Sequence, residues 1–95
     1  MTILVLPGAE RDIKEAINFY DETSIELGEF LVGEFDNCLE LIAENPRIGR
    51  EGEDSVRKFP LGRFPYDIVY SFLDGEILVI AVAHQRRRPG YWANR

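Results

Sequence analysis

The stretch from Phe64 to His84 constrains this chain most, because it reads as a β-hairpin long enough to be the spine of a sheet. Phe64, Tyr66, Ile68, Tyr70 and Phe72 place every second side chain on one apolar face, the period of a half-buried strand, and Asp67 and Ser71 mark the other face. Asp74-Gly75 supplies the two residues of a type I′ turn, which requires positive φ at both central positions. Ile77 to Ala83 follows as an almost unbroken apolar run, the pattern of a central strand covered on both faces. His84 ends that run and Arg86, Arg87 and Arg88 come directly after it, so a rigid hairpin is expected to deliver cations to one edge of the sheet.

The remaining elements follow from similar periodicities. Thr2 to Leu6 is β-branched or aliphatic and stops at Pro7-Gly8, which predicts a short first strand. Ile13, Ala16, Ile17 and Tyr20 recur at helical spacing and predict a first helix from about Ala9 to Glu22. Thr23 and Glu26 have capping-box spacing for a second helix with the stripe Leu27, Phe30, Leu31, Phe35, Cys38, Leu39 and Ile42, closed by Asn45-Pro46. The short link between the helices makes them an αα-hairpin. Arg47 to Asp54 reads as a polar loop, and Ser55 to Leu61 as a short, bulged strand interrupted by Pro60. The order β-α-α-β-β-β predicts an α+β fold, an N-terminal strand and a helical hairpin packed on a small antiparallel β-sheet, with residues 1–95 forming one domain.

At 95 residues and 45% hydrophobic composition the chain is large enough for one core. Its apolar start is too short for a signal peptide or a membrane span and has no basic region before it, so the cytoplasm is the expected location and no membrane partner is expected. The net charge of −6 hides an asymmetry: residues 1–54 carry 14 acids against 4 bases, and residues 55–95 carry 3 acids against 7 bases. Overall acidity argues against non-specific nucleic-acid binding, which depends on Lys and Arg neutralising phosphates, although a local basic patch can still do that work.

The sequence holds no Gly-rich phosphate loop, no nucleophile elbow and no Cys/His cluster, so no metal or cofactor is expected. Cys38, the single cysteine, lies on the apolar helical stripe and reads as a reduced core thiol. What remains is a basic set, Arg57, Lys58, Arg63, Arg86, Arg87 and Arg88, interleaved with Tyr66, Tyr91 and Trp92. Guanidinium groups suit phosphates, and the aromatic rings suit exposed bases. RNA cleavage through the 2′-hydroxyl would need a base, an acid and cations, roles open to His84, Tyr91 and these arginines. The alternative has the arginines pairing with acidic helices or an acidic partner, and Tyr91 and Trp92 packing the tail onto the sheet.

The run Val56-Arg57-Lys58 through Arg63-Phe64-Pro65-Tyr66-Asp67-Ile68-Val69-Tyr70, then Ile80-Ala81-Val82-Ala83-His84 and Arg87-Arg88-Pro89-Gly90-Tyr91-Trp92, resembles the ParE/RelE superfamily of type II toxin–antitoxin toxins, which includes plasmid stabilisation proteins. The helix Ala9 to Ala16 with Phe19-Tyr20, and Asn45-Pro46, fit the same pattern. The resemblance implies a toxin neutralised by a cognate antitoxin whose helix and extended tail wrap it. RelE-like members cut mRNA in the ribosomal A site, whereas ParE-like members poison DNA gyrase without obvious catalytic residues.

Asp67 stands where RelE-like enzymes place a catalytic arginine, and Gln85 where another is expected. The leading expectation is therefore a ParE-like toxin that inhibits a protein target, with DNA gyrase as that target. The alternative is a ribosome-dependent endoribonuclease using Arg63, His84, Arg87 and Tyr91. A third reading is an attenuated toxin kept as an antitoxin-binding module. Arg57, Lys58, Arg63, Arg86, Arg87, Arg88, Tyr91 and Trp92 are the residues expected to meet antitoxin or target, at one rim of a scaffold whose acidic helices face elsewhere.

Overall fold

The computed structural model describes residues 2–88 and 90–94; Pro89, part of the tail motif, lies outside them. The order is β1 (Thr2–Val5), α1 (Pro7–Asp21), α2 (Ile25–Glu44), β2 (Arg50–Glu51), β3 (Arg57–Pro60), β4 (Tyr66–Leu73) and β5 (Glu76–His84), followed by a 3-10 turn over Tyr91–Asn94. The five strands form one sheet in the order β1-β5-β4-β3-β2. Asp74 and Gly75 have φ of 52° and 79°, so the hairpin turn has the positive φ values its sequence predicts.

The sheet is mixed rather than wholly antiparallel. Both helices intervene between β1 and the rest, and they return the chain so that β1 lies parallel to β5, Leu4 opposite Leu78. Arg50–Glu51, expected as loop, adds a two-residue antiparallel edge to β3.

Ser24, not Thr23, caps α2: its side-chain oxygen accepts from the Leu27 amide at 3.1 Å. The Thr23 and Ser24 amides both donate to the Tyr20 carbonyl at the end of α1, and the extended Ser24 stands directly before α2. Leu31, Phe35, Cys38 and Ile42 of α2 and Ala9, Ile13 and Ala16 of α1 bury against Ile68, Tyr70, Ile77, Val79 and Val82. Each large aliphatic side chain buried there contributes on the order of 1.5–3 kcal/mol. Phe30, expected in this stripe, is 49% exposed at its margin, tilted against Phe64.

One register break decides which way the end of β5 faces. Val69 pairs with Ala81 but Tyr70 pairs with Val79, leaving Ile80 as an inserted residue. Strict alternation would turn Ala81 and Ala83 toward the helices. The bulge instead sends Val82 there and puts Ala81 and Ala83, with Val69, into a second small cluster on the opposite face. His84 thereby comes edge-on to the Tyr66 ring, 5.1 Å between centroids. Beyond Val79 the outer edge of β5 has no strand partner from β1, and the Asp12 carboxylate of α1 accepts from the Val82 amide at 3.0 Å.

Tyr70 is fully buried, and its hydroxyl donates to the Pro46 carbonyl at 2.7 Å and accepts from the Gly49 amide at 2.9 Å. Tyr70→Phe orphans both loop groups and is expected to lower unfolding free energy by about 2 kcal/mol, read by urea denaturation. Cys38 is buried with its thiol toward the Pro60 carbonyl. Burial, with Glu34's carboxylate adding to it, pushes that thiol above its ordinary range. Reaction with a thiol reagent at neutral pH should therefore run at least roughly tenfold slower in the folded protein than in denaturant.

Candidate functional site

The pairing of β4 with β5 fixes where the basic residues go. Tyr66 lies opposite His84, and the Gln85 amide donates to the Pro65 carbonyl, so the β3–β4 turn and the segment after β5 leave the sheet at the same end. Arg63 occupies that turn and is exposed, as are Arg86, Arg87 and Arg88. Lys58, paired with Val69, lies on the face opposite the helices. Tyr91 and Trp92 are half-buried there against Val69, Ala81 and Ala83, so the tail packs on the sheet.

The two aromatic residues of the tail each carry a cation. The Arg87 guanidinium carbon sits 3.9 Å from the Tyr91 ring centroid, and the Lys58 ammonium 5.0 Å from that of Trp92. A recess of about 400 Å³ opens between them, lined by Arg50, Lys58, Asp67, Gln85, Arg87 and Trp92 among others. At its floor Asp67 is 7% exposed. One carboxylate oxygen accepts from Arg50 Nη2 at 3.2 Å and the other from Gln85 Nε2 at 3.3 Å. The two residues that depart from the ribonuclease pattern thus touch each other, and the acid is paired with a cation from β2.

On the helix side a smaller recess brings together Asp12, Glu15, Tyr66, His84, Arg87 and Tyr91. The expectation that the acidic helices face away from the basic rim is corrected here: α1 runs along β5, and its inner edge presents Asp12 and Glu15 beside Arg87. His84 Nδ1 accepts from the Arg86 amide at 3.1 Å, which leaves Nε2 to carry the proton of the neutral ring. Burial, then the neighbouring Tyr20, Glu15 and Tyr91, pushes the Tyr66 hydroxyl up and keeps it protonated.

Of the four residues named for catalysis, His84, Arg87 and Tyr91 share this recess and Arg63 is not among its lining residues. Arg57 is turned inward rather than offered to a partner. Its guanidinium donates to the carbonyls of Arg47 at 3.2 Å and Gly49 at 2.8 Å and pairs with Glu51 at 3.0 Å. Sequence reasoning passed over Arg50, Asp12 and Glu15 as site residues. Arg50 gives no local signal, because its link to Asp67 exists only once β2 has joined the sheet. Among the described residues no cluster of three His, Cys, Asp or Glu is placed to hold a metal ion, and no helix is long and apolar enough to cross a membrane.

Comparison with known proteins bears on this arrangement in two ways. Among solved structures, a chain described as "Chromosomal ParDE TA system from P. aeruginosa" superposes with a TM-score of 0.77 at 19% identity, covering 88% of this chain and 95% of that one. At that identity the likeness speaks for the fold: a helical hairpin on one small sheet. No curated protein matches the chain. The family profile described as "ParE toxin of type II toxin-antitoxin system, parDE" matches residues 3–89, from β1 through both helices and the hairpin into the basic segment. The chain therefore belongs to the ParE toxin family of type II toxin–antitoxin systems.

Proposed function

We propose that this toxin acts by gripping a protein target, DNA gyrase, without cutting nucleic acid, and that a cognate antitoxin neutralises it in the cytoplasm. The observation that carries this reading is Asp67, nearly buried at the floor of the basic recess with both oxygens hydrogen-bonded. In-line attack on a phosphodiester needs cations aimed at charge developing on the phosphorane. A carboxylate fixed at that spot opposes the charge, and the nearest cations are otherwise engaged: Arg50 on Asp67, Lys58 on Trp92 and Arg87 on Tyr91.

One observation favours the second reading, mRNA cleavage on the ribosome: His84, Arg87 and Tyr91 line a common recess. Against it, Asp12 and Glu15 line the same recess, where they too would repel a phosphate.

For the antitoxin, the supporting feature is an aromatic ledge where both helices meet the β3–β4 turn. Tyr20 stacks edge-on to Phe64, and beside them Phe19 and Phe30 are 61% and 49% exposed. An amphipathic antitoxin helix would cover that ledge, and an acidic or mixed-charge tail would continue past Arg63 to Arg86, Arg87 and Arg88.

Pulse expression without antitoxin should give DNA breakage and an SOS response with intact mRNA. Cleavage of mRNA at the ribosomal A site with undamaged DNA would reverse the assignment. The double substitution Arg87→Glu and Arg88→Glu should weaken the antitoxin complex by roughly tenfold or more in a titration calorimeter, and an unaltered affinity would move the antitoxin tail elsewhere.

A further inference from the structure

The segment joining α2 to β2 is held more rigidly than an exposed loop needs to be. Asn45 Oδ1 accepts from the Arg47 amide at 3.2 Å, and the Asn45 carbonyl accepts from the Ile48 amide at 2.9 Å. The Tyr70 hydroxyl bridges the Pro46 carbonyl and the Gly49 amide from below, while Arg57 donates to the carbonyls of Arg47 and Gly49. Gly49 is buried, and a Cβ there would lie 2.7 Å from the Tyr70 oxygen and 3.0 Å from the Lys58 carbonyl, so only glycine lets the loop sit this close. Two side chains from the middle of the sheet are thus committed to fixing one loop.

What the loop displays contrasts with how it is held. Arg47 is exposed, and its side chain has no hydrogen bond or ion pair among the described residues. Ile48 beside it is 37% exposed. Arg50 bonds Asp67 through Nη2 while its side chain stays 62% exposed. An apolar side chain flanked by two guanidinium groups on a fixed backbone is a preformed contact surface, because little backbone entropy remains to be lost when a partner closes on it.

We propose that the Arg47–Ile48–Arg50 loop is the toxin's grip on its protein target: Ile48 fills an apolar pocket whose rim carries carboxylates for Arg47 and Arg50. This rests on the protein-target reading above. A nucleic acid fits the loop less well, since Ile48 has no role on a phosphate surface and the loop carries no aromatic ring to stack on a base. A carboxylate matches the Arg47 guanidinium in charge and in planar, bidentate geometry, and Arg50, held to Asp67 through Nη2, keeps its other N–H donors for a second one.

The test compares the wild-type protein with Ile48→Asp, Arg47→Glu and Ile48→Leu. It uses three readouts: inhibition of supercoiling by purified DNA gyrase, the inducer level needed for growth arrest, and binding to a fluorescent single-stranded RNA. Ile48→Asp and Arg47→Glu should each raise the half-inhibitory concentration and the arrest threshold about tenfold or more. Ile48→Leu should stay within about threefold, with all three variants melting within a few degrees of wild type as surface changes do. Inhibition unchanged by Ile48→Asp overturns the loop assignment and leaves the gyrase reading standing. A wild-type protein that spares gyrase and cuts mRNA sinks that reading instead, and an arrest threshold unmoved by Ile48→Asp then overturns the loop assignment by itself. Loss of RNA binding in Arg47→Glu but not in Ile48→Asp would make the loop a nucleic-acid contact, which also overturns the proposal.

Discussion

The inserted residue at Ile80 is the constraint on which the rest of the molecule depends. A strand's two faces alternate, so one extra residue exchanges them for everything downstream. Upstream of the bulge, Ile77 and Val79 bury against the helices; downstream, Val82 takes their place and the small Ala81 and Ala83 turn to the other face. Small residues there leave room for Tyr91 and Trp92 to pack on the sheet. His84 goes with Val82 to the helix side, next to Tyr66 and α1. One backbone irregularity therefore lies between the two recesses, with His84 and Arg87 lining both of them.

Much of this was legible in the sequence, and the failures have physical causes. The hairpin was readable because Phe64 to Phe72 alternate and Asp74-Gly75 allows only a tight turn with positive φ. The helical hairpin was readable because Ile13, Ala16, Ile17 and Tyr20 in one stretch, and Leu31, Phe35, Cys38 and Ile42 in the next, sit at helical spacing over lengths no strand has. The bulge was not, since a run in which every residue from Ile77 to Ala83 is apolar carries no phase to break. Nor was the parallel placement of β1, which is set by how both helices return the chain rather than by anything within Thr2 to Leu6. Ser24 rather than Thr23 is the cap because α2 begins at Ile25, and a spacing rule does not fix where the chain turns between two helices.

The basic residues illustrate the same division. Their arrival at one end of the sheet followed from the hairpin alone. Their states did not. Lys58 and Arg87 rest on aromatic rings, Arg57 is held by loop carbonyls, and Arg50 is paired with Asp67, 17 residues further along the chain. A count of positive charge would make this end a phosphate-binding surface. The partners of those charges instead make it a set of cations held in fixed directions with an acid at their centre.

The α2–β2 loop extends that argument beyond the recess. Tyr70 is the largest fully buried side chain of the sheet, and it spends its hydroxyl on loop main chain rather than on a strand or helix neighbour. A phenylalanine would fill the same volume with no polar group to satisfy, so the hydroxyl's contribution is the position of Pro46 and Gly49. Arg57 repeats the pattern from the adjacent strand, reaching two carbonyls of the same loop. The core thus transmits its rigidity outward to Arg47 and Ile48, and Arg50, anchored on Asp67, joins that loop to the basic recess in one continuous surface.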